Sequence, residues 1–390
     1  MYSEQDLRDA VAGGAITEDA AQSLRAHVAQ MRQMPITDEE NFRLINSFND
    51  IFVAIGVVIM LLAVGAIGQA IAGAVVPLPD YPGFVEATEE QWRAYQNADE
   101  SRVFLTFVFG GGMVAATAWI LAEFFTKRRR MALPSIILLL AFVGGLFFAV
   151  FGGAVMALTG GDMSGDPGER TIAIIAALGA LTAAGGAFLH WKRFMVPITI
   201  AAGAAALAGT VIALLLAAIG PGTDNAETVL WSLVFVAGLA VFAFAMRWDI
   251  SDRERKTRRA DVAFWLHLLA APMIAHPIFA LIGVMDNDML GVGSAIGVLA
   301  VYVVFGLVAL AIDRRALLVS ALIYVLIALT FLFDRFGAVE LTFALTALVI
   351  GSALLTLSAF WTTIREKLVL ALPGDVQARL PVVGPLAQPA

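Results

Sequence analysis

Between Ile51 and Trp361 the chain is written in long apolar blocks separated by short polar breaks, and this alternation predicts its architecture. Runs such as Ile136 to Val150 and Val211 to Ile219 are apolar on every side. A soluble amphipathic helix would show a polar stripe, and a membrane strand would alternate polarity over about ten residues. A bilayer core about 30 Å thick takes roughly 20 apolar residues in a helix. The blocks predict spans near 51–76, 103–125, 132–158, 171–190, 195–219, 229–246, 262–284, 292–312, 316–333 and 342–361. The expected fold is an all-α, polytopic transmembrane bundle of about ten spans.

The polar segments extend this reading. Residues 1–48 are charged and contain no early apolar stretch, so no cleavable signal peptide is expected. They read as a cytoplasmic helical segment, with Ala15 to Met31 helical and Thr37 and Glu40 spaced as a capping box. Residues 49–361 form the bundle. Residues 362–390 form a C-terminal tail, partly amphipathic up to Leu372 and irregular after Pro373-Gly374, with Pro381, Pro385 and Pro389. The loop 77–102 is expected outside and is acidic, with Asp80, Glu86, Glu89, Glu90, Asp99 and Glu100. The loop 247–261 is expected inside and is basic. Of the 25 Lys and Arg residues, all but Arg93, Arg102, Arg170 and Arg335 fall on the side that holds both termini. Positive charge is retained in the cytoplasm, so both ends are expected there, with the bacterial inner membrane as the location.

Composition narrows the chemistry. Sixty per cent of the 390 residues are hydrophobic and fifteen per cent charged. There is no cysteine, which removes disulfides, thiolate nucleophiles and Cys-ligated metals. There is no H-E-x-x-H and no G-x-x-x-x-G-K. Ser294 lacks a Gly-x-Ser-Gly context, and Glu89-Glu90 with Arg93 lies in a loop. No catalytic residue, metal site or cofactor is expected, and the chain reads as a non-enzyme. The basic run Arg253 to Arg259 suits topological retention beside anionic lipid and not nucleic acid. Glycines such as Gly110 to Gly112, Gly144-Gly145, Gly152-Gly153 and the G-x-x-x-G of Gly293 to Gly297 are read as close helix packing, without further function.

An ionisable residue within lipid is a functional candidate by default. The seventh span, 262–284, carries His267 and His276 with Pro272 and Pro277. Each proline frees a carbonyl one turn earlier, those of Leu268 and Met273, and a kink is expected near the bilayer centre. The histidines are candidates to line a polar cavity or carry a coupling proton. Nine residues place them about 180° apart and some 13 Å along the axis, so they cannot share one metal ion; structural hydrogen bonding is the competing reading. Glu123 is a candidate for a pathway or an interfacial ion pair. Asp261, like Asp50, opens a span where a carboxylate favours the positive helix end. Gln69, Tyr302 and Tyr324 could each polarise a cavity or make a single interhelical bond.

The stretch Leu7-Arg8-Asp9-Ala10-Val11-Ala12-Gly13-Gly14-Ala15-Ile16-Thr17, followed by Ala20-Ala21 and Leu24, resembles the opening of bacterial membrane proteins grouped as a domain of unknown function. Asp261 to Phe279, with Phe264-Trp265-Leu266-His267 and His276-Pro277, is similar to a segment that recurs in them. The resemblance implies a bacterial inner-membrane protein and no particular reaction. Two function classes stand. One is a transporter or channel for a small solute or ion, favoured by an enclosed bundle larger than an anchor requires. The other is a membrane scaffold or sensor with the N-terminal segment docking a protein partner. The lipid bilayer is a partner in either.

Overall fold

The computed structural model describes residues 7, 10–31, 48–82, 88–161, 168–220, 225–255, 257–282, 291–335 and 342–383. The expected capping box at Thr37 to Glu40, the residue Glu86, the end of the seventh span at Val284, and Pro385 and Pro389 lie outside them. The chain divides into two compact units, Met1–Phe42 and Arg43–Ala390. In the first, α1 (Glu18–Met31) starts where the Thr17 hydroxyl accepts from the Ala20 amide at 3.2 Å, an N-cap that satisfies one orphan donor.

The second unit is a helical bundle. In chain order it comprises α2 (Phe48–Val75), α3 (Glu89–Arg128), α4 (Ala132–Thr159), α5 (Glu169–Phe194), α6 (Ile198–Ile219), α7 (Ala226–Ser251), α8 (Arg258–Leu281), α9 (Val292–Ile312) and α10 (Ala316–Arg335). After these come α11 (Thr342–Ala359), α12 (Trp361–Leu370) and the short α13 (Gly374–Gln377). Among the described residues, α2 to α10 give nine helices long and apolar enough to cross a membrane, and ten if the pair α11–α12, bent by 70°, counts as one span. The protein is a multi-pass, all-α membrane protein.

Two boundaries differ from the sequence expectation for physical reasons. Half of the acidic loop is helix: Thr88 and Gln91 form a capping box, with the Gln91 side chain accepting from the Thr88 amide at 2.9 Å. The resulting α3 has 40 residues, about 60 Å of helix and twice the hydrocarbon thickness, so its acidic first half stands outside the apolar layer. It passes through two π-helical turns, Phe107–Gly111 and Glu123–Arg128. Second, α7 continues through Arg247 to Ser251, which shrinks the inner loop and draws Asp249 into the helix. The helix α8 runs continuously from Arg258 to Leu281 and contains both Pro272 and Pro277.

The small residues decide where helices cross. A Cβ on Gly68 of α2 would lie 2.4 Å from the Gly110 backbone of α3, and one on Gly145 of α4 would lie 2.6 Å from the Gly111 carbonyl. Backbones this close admit no side chain. The Gly293–Gly297 motif is different: a Cβ at either meets nothing within 4 Å, so this G-x-x-x-G makes no crossing within the described chain. Gly238 of α7 sits against the Met273 carbonyl, where a Cβ would be 2.9 Å away. The carbonyl freed by Pro277 is therefore covered by a neighbouring backbone.

Two of the apolar cores among the described residues each join several spans. The first joins Val57 and Leu61 of α2, Ala115 and Ala118 of α3, and Leu138 and Phe142 of α4. The second joins Val241 of α7, Leu266 and Phe279 of α8, Val298 and Phe305 of α9, and Tyr324 of α10. Gly145→Leu is expected to destabilise the protein by about 1–3 kcal/mol or more through overpacking, whereas Gly297→Leu, in open space, should be near neutral. Thermal unfolding of the two variants in one detergent checks this; equal melting temperatures would refute the crossing.

Candidate functional site

One face of the bundle collects the turns between α3 and α4, α5 and α6, α7 and α8, and α9 and α10. These turns hold Lys127 to Arg130, Lys192 and Arg193, Arg253 to Arg259, and Arg314 and Arg315. Among the described residues, the four non-glycine residues with positive φ are Arg130, Met195, Arg255 and Asp313, one in each turn. A left-handed residue ends one helix and turns the chain for the next within a few residues, at a cost of about 1–2 kcal/mol for a residue with a Cβ.

Two of these turns build the most buried polar group in the second half. Asp249, in the last turn of α7, is 1% exposed. One carboxylate oxygen pairs with His267 Nε2 of α8 at 2.8 Å, and the other accepts from Arg314 Nη2 at 2.8 Å. Arg314 also donates to the Ala260 carbonyl at 3.2 Å. Three elements, α7, α8 and the α9–α10 turn, thus meet on one carboxylate. His267 presents Nε2 to the acid, while its buried Nδ1 has no hydrogen-bond partner. That suits a neutral ring donating from Nε2, since a proton on Nδ1 would be a buried donor without an acceptor.

A second layer lies beside the first. Arg255 Nη1 donates to Asp313 Oδ2 at 2.9 Å, and its Nη2 donates to the Ile312 and Asp313 carbonyls at 3.0 and 3.2 Å. This satisfies carbonyls at the negative end of α9. Burial, with Arg314 close by, pulls the Arg255 guanidinium below its ordinary value; an arginine remains charged regardless. Trp361 Nε1 donates to Asp313 Oδ1 at 2.8 Å, and Arg365 of α12 pairs with the same oxygen at 3.6 Å. Arg365 donates onward to the Pro381 carbonyl at 2.9 Å, and Arg253 donates to the Leu380 carbonyl at 2.8 Å. The tail expected to be irregular is tied down as far as Val383, with Leu380 buried.

The expected residues fall in different places. His267 is in the cluster. His276 is on the same helix but bonds Tyr324 of α10 through Nδ1, edge-on to Trp231 of α7 at 4.7 Å, and Trp231 donates to Glu227 at 3.2 Å. Pro272 lies between the two histidines, and Pro277 follows His276 directly and is buried. Glu123 forms a two-point ion pair with Arg193, 2.6 and 2.9 Å, joining α3 to α5. Asp261 is in the first turn of α8, beside Thr257, whose hydroxyl accepts from the Arg259 amide. Among the described residues no group of three or more His, Cys, Asp or Glu side chains could hold a metal ion.

Sequence reasoning missed Asp249, Asp313 and the structural roles of Arg255, Arg314 and Arg365. Arg247 looked like the end of a span, which hid Asp249, and Arg314 looked like one more retained cation. A further miss is His190 of α5, fully buried, 3.3 Å from the Thr199 hydroxyl and enclosed by Trp119, Phe142 and Phe194. Comparison with family models, curated proteins and solved structures finds no match.

Removing one member of a buried ion pair leaves the other uncompensated, at a cost of about 3–5 kcal/mol, while replacing both by apolar groups costs far less. Asp249→Leu and Arg314→Leu should each lower stability by about that amount, and the double variant should recover most of it. Chemical denaturation in detergent measures all three; additive losses would show that the two residues do not act as a pair.

Proposed function

We propose that this protein is a transporter for a small solute or ion in a bacterial inner membrane, with both termini on the basic, cytoplasmic side. The Asp249 cluster is the latch of its closed state. The observation that carries this reading is the burial of Asp249, His267 and Arg314, 1–4% exposed at the side chain, at the end of a membrane bundle. Charges taken out of water are costly, and apolar packing would hold three helices together at least as well. A group of charges is useful where the contact must be broken and remade, because each ion can be offered a replacement partner. A solute cation or proton can take the place of Arg314 at Asp249, and an anion can take the place of Asp249 at Arg314. Release of the Arg314 pair loosens α7 from the α9–α10 turn, and release of the His267 pair loosens α7 from α8.

The orientation is supported by the distribution of the 25 basic residues, 21 of which lie on one side. The reading as a scaffold or sensor draws on a separate observation, the compact N-terminal unit Met1–Phe42, which could serve as a docking element.

The absence of cysteine provides the test. Ala271, one turn beyond His267, is fully buried, and Ser251 is exposed. Ala271→Cys should react slowly with a membrane-impermeant maleimide. Adding Asp249→Asn should raise that rate about tenfold, the response to a shift of about 1.4 kcal/mol toward an open state. Ser251→Cys should be unaffected. Gel filtration and circular dichroism separate opening from unfolding. An unchanged rate in a folded Asp249→Asn protein would remove the latch and favour the scaffold.

A further inference from the structure

A groove of about 980 Å³ runs between α5, α6 and α7, beside the second apolar core. The sequence explains why it is hollow. The three helices face one another there with small residues, including Ala184 and Gly185 of α5, Gly203 and Ala204 of α6, and Ala237 and Ala240 of α7. No side chain is long enough to fill the space between them. Its rim is made of large apolar residues that the chain leaves open: Phe188 is 57% exposed, Leu207 52%, Val211 55% and Val236 62%. Of the lining residues only Thr199 and Trp191 carry a polar side-chain atom, and Thr199 turns its hydroxyl to His190. A polar solute would find nothing to orient it.

The groove has a length and a charged end. Its walls extend from Leu181 to Trp191 on α5 and from Leu233 to Phe244 on α7, about 15 and 16 Å of helix, half the hydrocarbon thickness. At the basic face the α5 wall ends on Lys192, whose ammonium lies 4.6 Å from the Phe188 ring centroid. The α7 wall continues one turn beyond Phe244 to Arg247, which is exposed. A cation thus follows each apolar wall.

We infer that this groove holds an acyl chain of an anionic phospholipid from the leaflet on the basic side, with its headgroup at Lys192 and Arg247. The chain fills the space that small residues leave. The phosphate meets the two cations where the apolar walls stop, and Trp191 sits at the boundary, where its amphipathic ring suits the headgroup level. The site is independent of the Asp249 cluster and does not require transport.

Photolabelling tests this with the full-length protein in phosphatidylcholine vesicles that contain a diazirine-acyl phosphatidylglycerol. Adducts should concentrate on Leu207, Val211 and Val236 and be competed by unlabelled phosphatidylglycerol. In the variant Lys192→Gln/Arg247→Gln, groove labelling should fall by about fivefold or more. A diazirine-acyl phosphatidylcholine should label the groove weakly in both proteins. Adducts spread evenly over other outward residues such as Ile120, Leu140 and Val303 would overturn the inference. So would equal labelling by the two lipids, or undiminished labelling of the double variant. Bismaleimide coupling of Val211→Cys between two copies would place a second chain in the groove instead. Mapping on the unaltered protein keeps the test valid even if the double variant fails to fold.

Discussion

A carboxylate withdrawn from water at the end of a membrane helix must be matched on both oxygens, and Asp249 is matched by residues from two other elements. His267 and Arg314 each take one oxygen. The positions of α7, α8 and the α9–α10 turn are therefore linked by electrostatics as well as by apolar packing. Asp313 repeats the arrangement one layer away, holding Arg255, Trp361 and Arg365. Through Arg365 and Arg253 the same network reaches the tail at Leu380 to Val382. Residues as far apart in the chain as Arg253 and Leu380, 127 positions, come to depend on a few polar contacts on one face.

Both halves of the bundle use close glycine crossings, Gly238 on Met273 in the second, and the second adds buried charges. In the first half, α2, α3 and α4 approach until glycine meets backbone, at Gly68 with Gly110 and Gly145 with Gly111. Contacts of that kind have no alternative arrangement nearby, because any shift opens a void or makes a clash. In the second half the helix ends are joined by buried charges, and α8 carries Pro272 between its histidines and Pro277 just after the second. Buried ion pairs thus cluster at the basic ends of α7–α10, with α12 folded over them. The apolar groove lies along α5 to α7.

Much of the fold was legible in the sequence, because lipid leaves so few options. Continuous apolar blocks specify helices, and their number and approximate limits follow from bilayer thickness. The errors occurred where a charge was taken as the end of a span. Arg247 does not stop α7, since a long cationic side chain at a helix end can reach the interface while the backbone continues. Asp249, two residues on, was thereby read as loop. In the same way Glu89 and Glu90 were read as loop, although Thr88 and Gln91 carry the spacing that starts a helix. The site was only half legible. His267 stood out as an ionisable residue within a span, but its partner Asp249 is 18 positions before it, and Arg314, the other partner of that carboxylate, is 65 positions beyond Asp249. Periodicity reports which face of a helix a residue occupies and not which distant side chain it meets. The glycines carried a similar ambiguity: Gly110 and Gly145 make crossings and Gly293 and Gly297 do not, and nothing local in the sequence separates them.

The most direct test of a breakable latch is a distance across it. Ile250, beside Asp249 on α7, and Val319, one turn after Arg315 on α10, are both exposed, and in a chain without cysteine they can be replaced by cysteine and spin-labelled as a single pair. Double electron–electron resonance in lipid nanodiscs would then read the separation of the two helix ends. Two populations are expected, the shorter matching the structure described above and the longer increasing when Asp249 is changed to Asn. A single narrow distribution, the same in both proteins, would show that the cluster is a fixed support and would contradict the latch.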